Sequence, residues 1–429
     1  MTDAVRKWKF SEWNLQGKLQ HRGELKIMKE TVIVTAIGSF SAQNVISACH
    51  AAGMRVVGCD IYPAEWVVNS RDVEVFYKAP YATDREQYRN FIKELCRKEQ
   101  ASVLMPLTDV EIDVIQQWRT ELAEDFKALG AEVWISDVSA ISLCRNKEKM
   151  EAFLRERKLC RTIPGVRLAE LKEKLGQGWR PDLPDAFLAK SFLAADPAAG
   201  METSMDFSDL RYPLVAKPFD GRSSQGLRIL ESKEDLEFLL HTCSEEQKQQ
   251  YLVQPKIGGH VITVDMVRNP ETGQVFCLPR RELLRTLNGA GTSVCVFRSG
   301  LLEQQCRDIA EAVGIRGCVN MEFIEADREA GEYYFLECNP RFAGGVAFSG
   351  AAGYDMADAH IRCFTGEKLD ELFVNGEQYI ARRYTEYSMN GRNEAAGAEQ
   401  ADSQSKTAGA EQSSCHAASM SQAKGENDR

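Results

Sequence analysis

Several signatures are missing from this chain, and each absence narrows what it can do. Its thirteen cysteines are scattered without one C-x-x-C pair. An odd count without framework spacing points to reduced thiols in a cytoplasmic protein and excludes a disulfide scaffold or a zinc site. No apolar run approaches the roughly 18 residues that a membrane span needs. Positive charge is in deficit, with a net charge of −10, which argues against a nucleic-acid partner held through its phosphates. Neither the dinucleotide fingerprint G-x-G-x-x-G nor the Walker pattern G-x-x-x-x-G-K-[ST] occurs. Residues 1–30 are polar, with Trp8 and Trp13 but no apolar h-region, so they do not form a secretory signal. They read as an N-terminal extension, and Met28 as the natural start.

What remains is ordinary for a soluble globular protein: 429 residues, 44% hydrophobic and 27% charged, enough for two or three domains. Residues 31–140 alternate strand and helix. TVIVTAIG ends at Gly38, SAQNVISACHAAG has helical apolar spacing and stops at Gly53, and RVVGCDI follows with Asp60. Arg85 to Lys98 reads as a helix, Ala101 to Pro106 and Val133 to Ser136 as strands, and Thr108 to Trp118 as a helix with Thr108 or Asp109 near its cap. This is a small parallel α/β domain. Gly38 stands alone, so a tight turn with close packing is favoured there over a nicotinamide site. Asp109 and Glu111 follow a strand's carboxyl end, where open sheets place ligand contacts, although helix capping explains them equally well.

The most informative stretch is Gly331 to Gly345, GEYYFLECNPRFAGG. Strand periodicity puts Phe335, Glu337 and Asn339 on one face and Tyr334, Leu336 and Cys338 on the other, and Pro340 ends the strand. Upstream, CVNMEFI points Val319, Met321 and Phe323 one way and Asn320 and Glu322 the other. The polar loop between the two strands centres near Glu329, so an antiparallel hairpin sets Glu322 opposite Glu337. Opposed carboxylates repel unless a cation lies between them, and hard cations take oxygen ligands that they share with phosphates. A hairpin with two solvated acids is the plain alternative.

Glu322 followed by Glu337-x-Asn339-x-Arg341 resembles the metal end of an ATP-grasp enzyme. The NPRFAGG ending is similar to the branch of carbamoyl-phosphate synthase large chains and related carboxylate–amine ligases. Other segments resemble the same superfamily in order. LCRNKEKMEAFLRERKLC opens a helix near Asn146 with Lys147 and Lys149 in its first turn, an unfavourable place for cations unless they face a phosphate; relatives usually carry Asp where this chain has Asn146. RYPLVAKPFDGRSSQGLRIL puts Lys217 at a strand end before a Gly/Ser turn with Ser223 and Ser224, like the superfamily's lid. YLVQPKIGGHVITVDMV resembles the adenine hinge, through Gln254, Lys256 and Ile257. Gln254 replaces a frequent acid there, and Val261 replaces a ribose-binding Glu, for which His260 is the candidate substitute. CLPRRELLRTLNGAGTSV supplies Arg280, Arg281 and Arg285 to clamp a carboxylate or acyl phosphate.

The resemblance implies a pre-ATP-grasp, Rossmann-like parallel-sheet domain over 31–140. An ATP-grasp domain of two α+β subdomains then spans 141–388, with a lid over about 141–255 and an insertion at 168–210. Residues 389–429, where AGAEQ occurs twice, read as a disordered tail. It implies ATP and Mg²⁺ (or Mn²⁺) as cofactors, with Lys147, Lys217, Ser223, Ser224, Gln254, Lys256 and Ile257 on the nucleotide. Glu322, Glu337 and Asn339 bind the metal, and Arg341 with Arg280 or Arg281 is catalytic. The implied reaction, of amino-acid type, joins a small-molecule carboxylate to an amine as an amide or peptide bond through an acyl phosphate, releasing ADP and phosphate, in a homodimer without nucleic-acid or membrane partners. The alternatives are a bicarbonate-using, carbamoyl-phosphate-synthase-like subunit that acts with a partner, and a non-catalytic nucleotide-binding module.

Overall fold

The computed structural model describes residues 30–171, 173, 210–219, 221, 226–286 and 290–389. The polar extension, most of the 168–210 insertion, Ser223, Ser224 and the tail beyond 389 lie outside the described residues.

Three sheets organise the unit that ends at Tyr384. The first is parallel, built from β1 (Thr31–Val34), β2 (Arg55–Asp60), β3 (Val75–Lys78), β4 (Val103–Met105) and β5 (Glu132–Val133) in the order β3-β2-β1-β4-β5. Its strands are nearly continuous apolar runs because helices cover both faces, as parallel sheets require. The helix Ala42–Ala51 ends where Gly53 takes a left-handed φ of +80°, and Arg85–Glu99 and Asp109–Glu121 complete the alternation. The edge strand β3 has no counterpart in the sequence reading; its residues are only half-buried and lack a clear alternation.

The second sheet holds β6 (Val166–Arg167), β7 (Leu214–Pro218), β8 (Arg228–Leu230) and β9 (Tyr251–Pro255), all antiparallel, in the order β6-β9-β7-β8. The third has seven strands. Its antiparallel centre is β10 (His260–Asn269), β11 (Gln274–Arg285), β12 (Gly291–Val296), β13 (Gly317–Asp327) and β14 (Glu332–Asn339). β15 (Gln378–Ala381) and a short parallel strand, Arg161–Thr162, form its edges. The helix Gly300–Val313 packs Leu302, Cys306 and Ile309 on one face of this sheet against Val319, Met321 and Phe323. Burial of these side chains stabilises the layer by about 1.5–3 kcal/mol each. The opposite face carries the cleft's polar side chains, Thr263, Arg280, Glu282, Asn320 and Glu322, and buries Val267, Leu278, Val296 and Cys318 in a second apolar cluster.

The helix Met356–Thr365 packs against the third sheet near its contact with the first. Its His360 is buried, accepts from the Cys318 N–H at Nδ1 (2.8 Å) and donates from Nε2 to the Trp134 carbonyl (3.2 Å). Residues 385–389, the described part of the second unit, carry no regular element.

Candidate active site

The β13–β14 hairpin is the floor of the site. Its register pairs Glu322 with Glu337 and Asn320 with Asn339, as its loop position predicts. The phase is not continuous, however. A register shift between Glu322 and Phe323 pairs Phe323 with Phe335 and inserts Leu336 as an extra residue. Phe335 therefore does not share the face of Glu337: it turns into the core and packs edge-on to Phe323, with ring centroids 5.5 Å apart. The bulge keeps Glu337 and Asn339 facing the cleft while Phe335 turns into the core.

Two lysines meet this floor. Lys147 opens the helix Lys147–Glu156, whose first turn is capped by Asn146 accepting from the Lys149 N–H at 2.9 Å. Its Nζ lies 3.1 Å from Glu337 Oε2 and donates to the Gly221 carbonyl; its backbone N–H donates to Phe219. Lys217, at the end of β7, lines the same cleft. The charges are unevenly matched. Burial pushes the Glu322 carboxyl up to about 7, and the adjacent Glu337 charge adds to the push. Burial acts on Glu337 too, but Lys147, the Asn339 amide and Lys217 outweigh it and hold this carboxyl below its ordinary value. Burial lowers Lys217 to about 8, against the attraction of Glu337.

These groups fit a hard divalent cation. Glu322, Glu337 and Asn339 offer only oxygen ligands from one face, and a cation between the two acids removes the repulsion that raises Glu322. Asn339 Nδ2 donates to Glu337 Oε1 (3.0 Å) and Asn320 Oδ1 (3.1 Å), which fixes its amide beside the acids. Among the described residues no three His, Cys, Asp or Glu side chains gather around one point. A cation here would therefore complete its shell with phosphate oxygens and water, as Mg²⁺ does.

The arginines separate. Arg341 donates from Nε and Nη2 to Asp109 Oδ2 at 3.0 and 2.9 Å, so the first sheet's β4 end orients a cleft residue of the third. Asp109 thus serves the cleft, whereas Glu111 is a capping-box acid bonded to Thr108 and Tyr88. Arg280 lines the cleft but is only 2% exposed and is held by Asp265 (2.5 Å) and Glu282 (3.2 Å). Arg281 corrects the sequence reading. It points to the opposite face, where it donates to Glu325 at 2.5 and 2.9 Å and to Glu377 at 3.2 Å, outside the cleft. Strand alternation alone would send Arg285 the same way. Register shifts on both sides of Leu284 return it to the cleft instead, 3.7 Å from Glu322.

The remaining wall is apolar. Ile163, Val215, Leu227, Ile257, Ile324 and Leu336 line the end beside the exit of β9, a surface suited to a flat ring. Gln254 lines it as well, but its amide donates to the Ile163 carbonyl at 2.5 Å, so that side chain is committed to the wall. Lys256 lies 3.9 Å from Glu231 with an exposed head. Val261 lines the cleft; His260, one residue earlier, is not among the lining residues. Gly38 donates its N–H to Asp60 Oδ2 at 2.7 Å in the turn that closes the far side. The cleft measures about 720 Å³. A depression of about 730 Å³ beside Lys93, Glu94 and Arg97 brings no facing acids together. Sequence reasoning missed Glu282 and the Gly38–Ser41 turn as cleft residues. The charge alternation Arg280-x-Glu282 was the available signal for the first.

Residues 247–386 match the family described as ATP-grasp in the biosynthetic pathway with Ter operon. The carbamoyl phosphate synthase large chain of Clostridium beijerinckii is 28% identical over 175 residues, which are 38% of this chain and 16% of that protein. The N-terminal section of the Methanopyrus kandleri large chain is 26% identical over 202 residues, 44% of this chain and 36% of that one. The matches thus span well under half the length of these relatives. Among solved structures, the biotin carboxylase domain dimer of Hydrogenobacter thermophilus 2-oxoglutarate carboxylase, in complex with MgADP and bicarbonate, superposes with a TM-score of 0.61 at 18% identity. It covers 82% of this chain and 74% of that one. Staphylococcus aureus N5-carboxyaminoimidazole synthetase complexed with ADP gives 0.57 at 15% identity, covering 80% and 79%. No described helix is long and apolar enough to cross a membrane. Residues 247–386 thus match an ATP-grasp family, and the described chain shares the fold of these solved structures.

Proposed function

We propose that this protein is an ADP-forming carboxylate–amine ligase. The observation that carries the proposal is the pairing of Glu322 with Glu337 beside Asn339, faced by Lys147 and Lys217 within one cleft. A nucleotide base fits the apolar end near Ile257, and the triphosphate then runs towards the two lysines. Lys147 and Lys217 neutralise phosphate charge; the Lys147 link to Glu337 is exchanged for phosphate when the nucleotide binds. Magnesium held by Glu322, Glu337 and Asn339 would supply charge neutralisation along the phosphates. Arg285 and Arg341 orient the substrate carboxylate. One of its oxygens attacks the γ-phosphorus, the bond to the β–γ bridging oxygen breaks, and ADP leaves. The same guanidinium groups stabilise the acyl phosphate. The amine nitrogen then attacks the acyl carbon, the bond from that carbon to the phosphate oxygen breaks, and phosphate leaves with the amine's proton as the amide forms.

A second reading, with bicarbonate as the acid, is supported by the kinship with carbamoyl phosphate synthase large chains. The test is product analysis with Mg-ATP against pools of amino acids, small carboxylates and bicarbonate. The ligase reading expects acid-dependent ADP and phosphate. AMP and pyrophosphate would refute it, and ADP with bicarbonate alone would favour the second reading.

A further inference from the structure

One charged group on the cleft wall has no part in the steps above. Glu282, on β11 between Arg280 and Arg285, lines the cleft and is 9% exposed. Its Oε1 accepts from the Thr263 hydroxyl at 2.9 Å and from Arg280 Nε at 3.2 Å. Its Oε2 is buried and has no hydrogen-bond partner among the described residues. Gly291, also on the cleft wall, lies against that oxygen: an added Cβ would come within 2.1 Å of it. Behind Glu282, Arg280 is shared with Asp265, whose Oδ1 is likewise without a partner among the described residues. One guanidinium thus serves two buried carboxylates, and the group holds one negative charge in excess. Excess buried charge is costly unless a cation completes it.

We propose that Glu282 receives the ammonium group of the substrate, so that the acid activated in this cleft is an amino acid. The proposal rests on the ligase reading and names its substrate class. The walls divide the work: Arg285 and Arg341 face the carboxylate, and Glu282 faces the ammonium with a charge-assisted hydrogen bond. A divalent metal fits this spot poorly. The Arg280 guanidinium touches the same carboxylate and repels a dication more strongly than a singly charged ammonium, and no three acidic, His or Cys ligands converge among the described residues. Bicarbonate carries no cation and would leave Oε2 as it is.

The test pairs each proteinogenic L-amino acid with the desamino acid of the same carbon skeleton. Two readouts are taken on the full chain, wild type and Glu282→Gln. One is ADP release with Mg-ATP. The other needs no turnover: the shift in melting temperature with a non-hydrolysable ATP analogue and Mg²⁺. The expected result is a response to an amino acid that exceeds that to its desamino partner by about a hundredfold in kcat/KM, because a site built for a hydrogen-bonding group rejects the analogue without it. Glu282→Gln should raise the KM for that amino acid about tenfold or more, with the KM for ATP unchanged. If the variant does not fold, Gly291→Ala, which displaces Oε2 but keeps its charge, should raise the same KM. Equal turnover of desamino acids or bicarbonate, or an unchanged KM in the variant, overturns the ammonium site and leaves the ligase reading standing. Melting shifts by an amino acid that are lost in Glu282→Gln, without ADP release, keep the ammonium site and overturn the ligase reading. No response to any amino acid in either readout overturns the ammonium site.

Discussion

Acidification should weaken the fold through His360. The ring is 3% exposed, tilted against Phe342 and Phe364 at 4.8 and 5.0 Å, and held neutral with Nδ1 accepting from Cys318 and Nε2 donating to Trp134. Burial lowers its pKa from 6.5 to about 3, and the Arg316 charge acts in the same direction. The folded pKa lies below the unfolded one, so the unfolded chain binds the extra proton between these values. The stabilisation is complete above pH 6.5 and is lost as the pH falls towards 3. Between pH 7 and pH 5 the loss is about 1.36 kcal/mol for each pH unit below 6.5, or about 2 kcal/mol. Carboxylates titrate in the same range, so the measurement is a difference. Urea unfolding of wild type and His360→Asn is followed at both pH values, since asparagine offers an acceptor and a donor but no titration. The wild-type advantage should shrink by about 2 kcal/mol on going to pH 5. An unchanged gap would show that the imidazole is not held neutral and would refute the reasoning.

Three further outcomes follow from the cleft. Arg281→Ala should lower stability by about 3–5 kcal/mol by stranding the buried Glu325, yet leave the KM for the acid unchanged; Arg285→Ala should leave stability near wild type and raise the KM for the acid about tenfold or more, with denaturation and steady-state kinetics as the two readouts. Asp109→Asn should reduce kcat about tenfold or more while nucleotide binding, measured by calorimetry, persists, because Arg341 loses the carboxylate that aims it. Lys217→Met should raise the KM for ATP about tenfold or more, since a charge on the phosphate path is removed.

Much of the hairpin was legible before the fold because its information is local. A polar loop centred near Glu329 and period-2 alternation suffice to oppose Glu322 and Glu337, and a proline suffices to end the strand. The Asn146 cap and the glycine stop at Gly53 are local in the same way. What sequence periodicity could not carry was any break in phase. The extra residue at Leu336 turns Phe335 into the core, and the shifts around Leu284 return Arg285 to the cleft while Arg281 stays outside. Bulges are set by the partner strand, which a single strand's pattern does not contain. Long-range ion pairs were equally hidden. The Arg341–Asp109 bond joins residues 232 apart, and nothing near either one announces the other. Glu282 went unnoticed because a charge between two arginines reads as ordinary compensation until the burial of its second oxygen is seen.

The central claim is that the Glu322–Glu337 pair serves phosphoryl transfer from ATP to a carboxylate. Its most direct test is acid-dependent ADP and phosphate release from Mg-ATP by wild type and Glu337→Gln, which keeps the side-chain shape and removes the charge. The account predicts release in the wild type and a loss of about a hundredfold or more in the variant, with nucleotide binding retained. Equal release by both proteins, or AMP and pyrophosphate as the products, would contradict it.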